Sequence, residues 1–183
     1  MKEELKRIIK SKYFSLTEHP IELSGGGFSR VYFNLRDMLC DPNELQLTCD
    51  CMDDVIDELL VNPMGEQAVE QGVDVLCTPL FGAAPMTAML SVHNGCRAAY
   101  VRKEAKKHGA GGRFIGEVRE GDRVIMLDDV CTSEKSIKDA EHLVVKAGGS
   151  IVGRAVILDR RRTVGTRLGI SSLFHIDDFT DER

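Results

Sequence analysis

The sequence has no apolar run of the roughly 18 residues that a helix needs to cross a bilayer. Its first residues, Met1-Lys-Glu-Glu-Leu-Lys-Arg7, are charged and lack the apolar stretch of a signal peptide. Both absences point to a cytoplasmic location. Positive charge is not in excess, since 24 basic residues stand against 29 acidic ones for a net charge of −5. No global field draws such a chain onto nucleic acid or an anionic membrane, which leaves only local basic patches to do so. Internal repeats, low-complexity tracts and linker-like stretches are absent. A chain of 183 residues that is 43% apolar is the size of one ordinary domain with enough material for a core. The six cysteines lack any C-x-x-C pair, and Cys49-x-Cys51 with Cys40 upstream has no paired histidine at zinc-finger spacing. Reduced, buried or half-buried thiols are expected, with no metal held directly by the protein. Two nucleotide-binding signatures are missing too. No G-x-x-x-x-G-K-[ST] and no G-x-G-x-x-G occur, so neither a P-loop nor a dinucleotide fingerprint is present.

What is there is an alternation of strand and helix patterns. Leu5, Ile8 and Ile9 share one face of a helix from Lys2 to about Lys12. Ile21-Glu-Leu23 and Val31-Tyr-Phe-Asn34 read as the arms of a hairpin around Ser24-Gly-Gly-Gly27. Asp41-Pro42 fits an N-cap with proline in the first helical position, and the helix it opens runs to about Asn62-Pro63. Strands follow at Val73–Cys77, Ala98–Val101, Arg123–Leu127 and Ile151–Leu158, with helices at Pro85–His93 and Ser136–Ala147. Residues 103–116, with four basic side chains, four glycines and His108, read as a mobile polar loop. Alternation of this kind implies an α/β fold with a mostly parallel sheet flanked by helices, and ligands then bind beyond the carboxyl ends of the strands.

The most informative stretch is Arg123-Val-Ile-Met-Leu-Asp-Asp-Val-Cys-Thr-Ser-Glu-Lys-Ser136. An apolar strand ends in two carboxylates, a hydroxyl-bearing turn follows, and a helix begins. The turn and helix start offer unpaired N–H groups and a positive dipole end, which suit phosphate. Asp128 and Asp129 stand beside that pocket, where they can accept hydrogen bonds from sugar hydroxyls and stabilise developing positive charge. A bare Asp-Asp is often just a solvated strand end; Thr132, Ser133 and Ser136 at a helix start make that reading much weaker.

Leu127-Asp-Asp-Val-Cys-Thr-Ser-Glu-Lys-Ser136 resembles the phosphoribosyl-pyrophosphate (PRPP) motif of type I phosphoribosyltransferases, and within them the orotate phosphoribosyltransferases. Val101-Arg-Lys-Glu-Ala-Lys-Lys-His-Gly109 is similar to that family's mobile loop and is the most specific match. Ser29-Arg-Val-Tyr-Phe-Asn34, continued by Asn34-Leu-Arg36, resembles its orotate-side hairpin, and Ile157-Leu-Asp-Arg160 resembles the strand end that presents an arginine to orotate. The matches keep their order from residue 14 to 176.

The resemblance implies one phosphoribosyltransferase domain with a small N-terminal hood, about residues 1–40 plus the C-terminal strand, and a core of about 41–170. It implies transfer of the 5-phosphoribosyl group from PRPP to orotate, giving orotidine 5′-phosphate and pyrophosphate in pyrimidine biosynthesis. Lys103, Asp128 and Asp129 would be the catalytic groups. PRPP would meet Arg102, Lys103, Lys106, His108, Asp128 and Asp129, together with the turn Val130, Cys131, Thr132, Ser133, Glu134, Lys135 and Ser136. Arg160 would pair with the orotate carboxylate, Tyr32 and Phe33 would flank the ring, and Thr132 would contact both substrates. Magnesium would arrive on PRPP, held mainly by phosphate and water. A homodimer sharing the 102–112 loop across its interface is implied. Thr78-Pro-Leu-Phe-Gly-Ala-Ala-Pro85 occupies the place of the family's pyrophosphate-side loop.

Two positions depart from the family pattern. Glu134 stands where the phosphate turn carries glycine, the residue that allows positive φ and close backbone approach. Either its side chain turns to solvent and the backbone still binds phosphate, or PRPP affinity is weakened or lost. The lysine expected upstream of the hairpin falls at Thr17. A non-enzymatic PRPP- or nucleotide-binding protein on the same fold is the alternative that Glu134 motivates. A purine phosphoribosyltransferase is disfavoured, because the acidic residue such enzymes place before the turn's threonine is Cys131 here.

Overall fold

A computed structural model describes residues 1–22, 27–61, 72–105, 112–161 and 169–180. Its centre is a six-stranded sheet in the order β5-β4-β3-β6-β7-β8. The strands are β3 (Val75–Pro79), β4 (Arg97–Val101), β5 (Phe114–Ile115), β6 (Arg123–Cys131), β7 (Ser150–Asp159) and β8 (Ser171–His175). All neighbours pair in parallel except the short β5, which runs antiparallel to β4. From β3 the chain moves outward to β4 on one side and then returns to β6 on the other. The order therefore reverses between β3 and β6, and in open α/β sheets a crevice opens at the carboxyl ends of such a strand pair.

Strand alternation sends side chains to two cores. Ile125, Leu127 and Ile157 face one layer, with Met52 and Ile56 of α3 (Pro42–Leu60) and Met86 and Leu90 of α4 (Ala84–His93). Val124, Met126 and Val156 face the other, against Ile137, Ala140 and Val144 of α5 (Lys135–Lys146). Helix α3 starts as its sequence dictates, with the Asp41 carboxylate accepting from the amides of Asn43 at 2.9 Å and Glu44 at 3.1 Å.

The N-terminal hood is built from α1 (Lys2–Ile8), a wider helical turn over Ile9–Tyr13, and the antiparallel pair β1 (Phe14–Glu22) and β2 (Phe28–Phe33). It joins the core through the short α2 (Leu35–Met38) and an aromatic cluster in which Phe33 lies 5.2 Å from both Phe14 and Phe179. Phe179 belongs to the last helix, α6 (Asp177–Thr180).

Several boundaries differ from expectation. The C-terminal strand, expected with the hood, pairs with β7 in the main sheet, because Leu173 and Phe174 are buried in that core; it touches the hood where Lys2 lies over the Phe174 ring, as α6 does through Phe179. Strand β6 does not stop at the carboxylates but runs to Cys131, since its ladder with β7 continues to Cys131–Asp159. Phe114 and Ile115, expected in a loop, form β5. Within the described residues no helix is long and apolar enough to cross a membrane. The cysteines are free thiols, and among the described residues no three His, Cys, Asp or Glu side chains cluster as a metal site.

Candidate active site

A cavity of about 300 Å³ lies at the reversal point, between the segment after β3 and the end of β6. Its floor is the acidic pair. Alternation along β6 puts Asp128 on the α5 face and Asp129 on the opposite face, so each carboxylate finds different partners. Ser136 Oγ, on the first turn of α5, donates to Asp128 Oδ2 at 2.9 Å. Arg36, just inside α2, reaches Asp129 Oδ2 from the other side at 3.4 Å. Both carboxylates are buried, at 6% and 8% exposure, although they line the cavity. Burial raises the Asp128 carboxyl most, the neighbouring Asp129 charge raises it further, and its pKa is pushed up to about 8.

The turn after β6 leads into α5. Thr132, Ser133, Lys135 and Ser136 line the cavity, as does Val130. Cys131 has its side chain buried at 2% exposure, so only its main chain is available there. Glu134 has φ 58°, the left-handed conformation that glycine adopts without strain. Its side chain takes no part in the cavity lining. It turns neither to solvent nor into the cradle, but pairs with Arg161 and accepts from Lys138 Nζ at 2.8 Å.

Opposite the turn, the segment Pro79–Gly82 follows β3. The Leu80–Phe81 peptide is cis, and Leu80 N donates to Val101 O at 2.9 Å. Gly82 sits so close to Asp129 that a Cβ there would overlap its carboxylate. Lys103, just after β4, and Arg113, just before β5, supply positive charge to the same cavity. Arg102 and Arg113 are tied together: Arg102 N donates to Arg113 O at 2.7 Å, and Arg113 Nε donates to Arg102 O at 2.8 Å. Lys106 and His108 lie outside the described residues.

Arg160, Tyr32 and Phe33 sit apart from this cavity, at the seam between hood and core. Arg160 Nη2 donates to Val31 O at 2.9 Å and to Ser29 Oγ at 3.0 Å, and its guanidinium lies 5.7 Å from the centre of the Phe33 ring. Tyr32 and Phe33 are consecutive in β2 and point to opposite faces, Tyr32 outward at 42% exposure and Phe33 into the aromatic cluster at 7%. They do not form two walls of one slot. Thr17 Oγ1, at the position of the missing lysine, bonds within the hairpin to Arg30 O at 3.2 Å.

Three charged cavity residues were given no role from sequence: Arg36, although it closes the quoted hairpin motif, Arg113 and Asp139. Asp139 had a usable signal, since it lies three residues after Ser136 and so on the same helical face. Arg36 had only its place in that motif and Arg113 had none, because the contact each makes crosses between separate segments.

No protein-family model matches the chain. Its relatives are nonetheless clear. The orotate phosphoribosyltransferase of Pyrococcus furiosus is 33% identical over 162 residues, covering 87% of this chain and 82% of that protein. Among solved structures, the orotate phosphoribosyltransferase of Aeropyrum pernix superposes with a TM-score of 0.74 at 25% identity, over 97% of this chain and 96% of that one. The Mycobacterium tuberculosis enzyme in complex with PRPP shares the fold, with a TM-score of 0.68 at 22% identity over 97% and 98% of the two chains. With a relative this similar along most of both chains, and an acidic pair set against a phosphate-type turn, the chain belongs to the orotate phosphoribosyltransferase family.

Proposed function

We propose that the protein transfers the 5-phosphoribosyl group of PRPP to orotate. The observation that carries this reading is a single cavity with three chemically distinct walls: the turn Thr132–Ser136, the buried pair Asp128 and Asp129, and the cations Lys103 and Arg113. The turn amides suit a terminal monophosphate, assisted by the start of α5 and by Lys135. Asp128 and Asp129 suit the ribose hydroxyls and the positive charge that develops as the ring approaches an oxocarbenium ion. Lys103 and Arg113, with Arg102 positioned beside them, suit the diphosphate. A ring nitrogen of orotate then loses its proton, to the departing diphosphate or to water, and forms a bond to the anomeric carbon while the bond from that carbon to the diphosphate oxygen breaks. Charge separates in this step, so fixed charges placed before it occurs supply most of the help a protein can give.

Arg160 would meet the orotate carboxylate at the hood seam, with Tyr32 as the exposed ring nearby and Phe33 supporting the arginine from below. A magnesium ion fits the site as a passenger on the diphosphate, because the protein groups present are two partly shielded carboxylates rather than a cage. Bound there, magnesium would neutralise leaving-group charge. The loop that contains Lys106 and His108 would close over the diphosphate, and in a homodimer it would reach the partner's site. A cytoplasmic location suits these soluble substrates. The non-enzymatic alternative rested on Glu134 blocking the turn, and the pairing of Glu134 with Arg161 removes that support.

The test is direct. Protein mixed with orotate, PRPP and magnesium should consume orotate absorbance and release pyrophosphate. Absence of turnover at micromolar enzyme rejects the proposal. Hypoxanthine, guanine and adenine in parallel should give none.

A further inference from the structure

The phosphate turn contains a contradiction in local chemistry. Glu134 occupies a left-handed conformation, φ 58°, that disfavours any side chain, and it carries a negative charge next to a site suited to a phosphate dianion. Such a residue persists only when its surroundings over-determine it.

The surroundings are a chain of charges running from the end of β7. Asp159, fully buried, accepts from Arg161 Nε at 2.9 Å and from Arg161 Nη2 at 2.8 Å, and also from the Arg161 amide at 2.9 Å. The guanidinium, itself only 6% exposed, is thereby fixed in a fork and presents Nη1 to the Glu134 carboxylate. Lys138, one helical turn after Glu134, closes the other carboxylate oxygen at 2.8 Å. His175 of β8 faces Asp159 from behind at 3.9 Å. The hydrogen bond from Lys138 and then that from Arg161 hold the Glu134 carboxyl below its usual range despite partial burial. The carboxylate is therefore ionised, neutralised and pulled to the side of the turn away from the cavity.

Resting on the PRPP-binding reading above, we infer that Arg161 is a positioning residue for the phosphate turn: it clasps Glu134 so that a non-glycine residue can hold the left-handed conformation with its charge turned out of the cradle. Arg161 does not touch substrate. Neighbouring arginines thus divide the labour at the end of β7, Arg160 reaching to the hood and Arg161 to the turn.

The experiment compares steady-state kinetics of the wild type, Arg161→Gln and the double variant Arg161→Gln with Glu134→Gly. Releasing the clasp should raise KM for PRPP by about fivefold or more while kcat and KM for orotate move less than about threefold. Adding Glu134→Gly should recover most of the lost PRPP affinity, because glycine needs no clasp. An unchanged KM for PRPP, or a loss that glycine does not rescue, overturns the inference. If Arg161→Gln does not fold, because Asp159 is left buried and unpaired, the comparison moves to Glu134→Ala and Glu134→Gly, which keep the Asp159–Arg161 pair. Alanine should then bind PRPP at least about twofold more weakly than glycine, and equal affinities overturn the proposal. A wild type that turns over orotate while these variants behave alike sinks only this inference; a wild type without turnover sinks the functional reading instead.

Discussion

At the scale of single residues, the acidic pair is buried at a cost. Asp128 is buried beside a second carboxylate, and its pKa of about 8 in the folded state lies above the value of 3.8 for a free aspartate. The folded protein therefore binds this proton more tightly than the unfolded chain does. Linkage then makes the contribution of Asp128 to stability greatest in acid, and that contribution is lost as pH rises from about 4 to about 8. Asp128→Asn should remove this loss. Denaturant unfolding should show the variant gaining on the wild type between about pH 5 and 8, while its turnover falls by roughly tenfold or more. A stability difference between the two that stays constant over that pH range would contradict this account of the site. Lys103→Ala should slow turnover by a similar factor with circular dichroism unchanged; an unaltered rate removes the loop cation from the mechanism. Gly82→Ala should be more damaging than its size suggests, because the added methyl meets the Asp129 carboxylate and must displace it. Lower activity with a weakened PRPP KM is the expected result.

At the scale of elements, the sequence was legible where local chemistry decides the outcome. Asp41 and Pro42 announced the start of α3, and the structure shows the cap hydrogen bonds. Asp41→Ala should cost about 1 kcal/mol, which thermal melting would register as a drop of about 2–4 °C in a chain of this size. The order of the main strands and helices was readable from periodicity, and the turn leading from β6 into α5 from its hydroxyl residues. Long-range pairing was not. Whether β8 joined the hood or the sheet depends on which apolar surface covers Leu173 and Phe174, and no local pattern encodes that choice. The two-residue strand β5 exists only because β4 offers it an edge. The site shows the same division. Asp128, Asp129, Thr132 and Ser136 sit on one continuous segment, and sequence found them together. Arg36 and Arg113 arrive from elsewhere in the chain. The fate of the Glu134 side chain depended on Arg161, 27 residues further on, and the sequence reading left it open.

At the scale of the whole molecule, the proposed reaction draws on two parts of the fold. The cavity at the β3–β6 reversal holds the phosphate, acidic and cationic walls, and the hood seam at Arg160 lies beyond the end of β7. A loop shared between protomers would complete the diphosphate side, so activity per chain should fall on dilution below the dissociation constant of the dimer. Sedimentation and turnover measured over the same concentration range should change together; a fully active monomer contradicts the shared loop. The measurement that bears most directly on the central claim is a crystal structure with PRPP or orotidine 5′-phosphate bound. The terminal monophosphate should lie within hydrogen-bonding distance of the backbone amides between Thr132 and Ser136, with the Glu134 carboxylate still on Arg161. A monophosphate lodged elsewhere, or a cradle filled by the Glu134 carboxylate, would contradict the account.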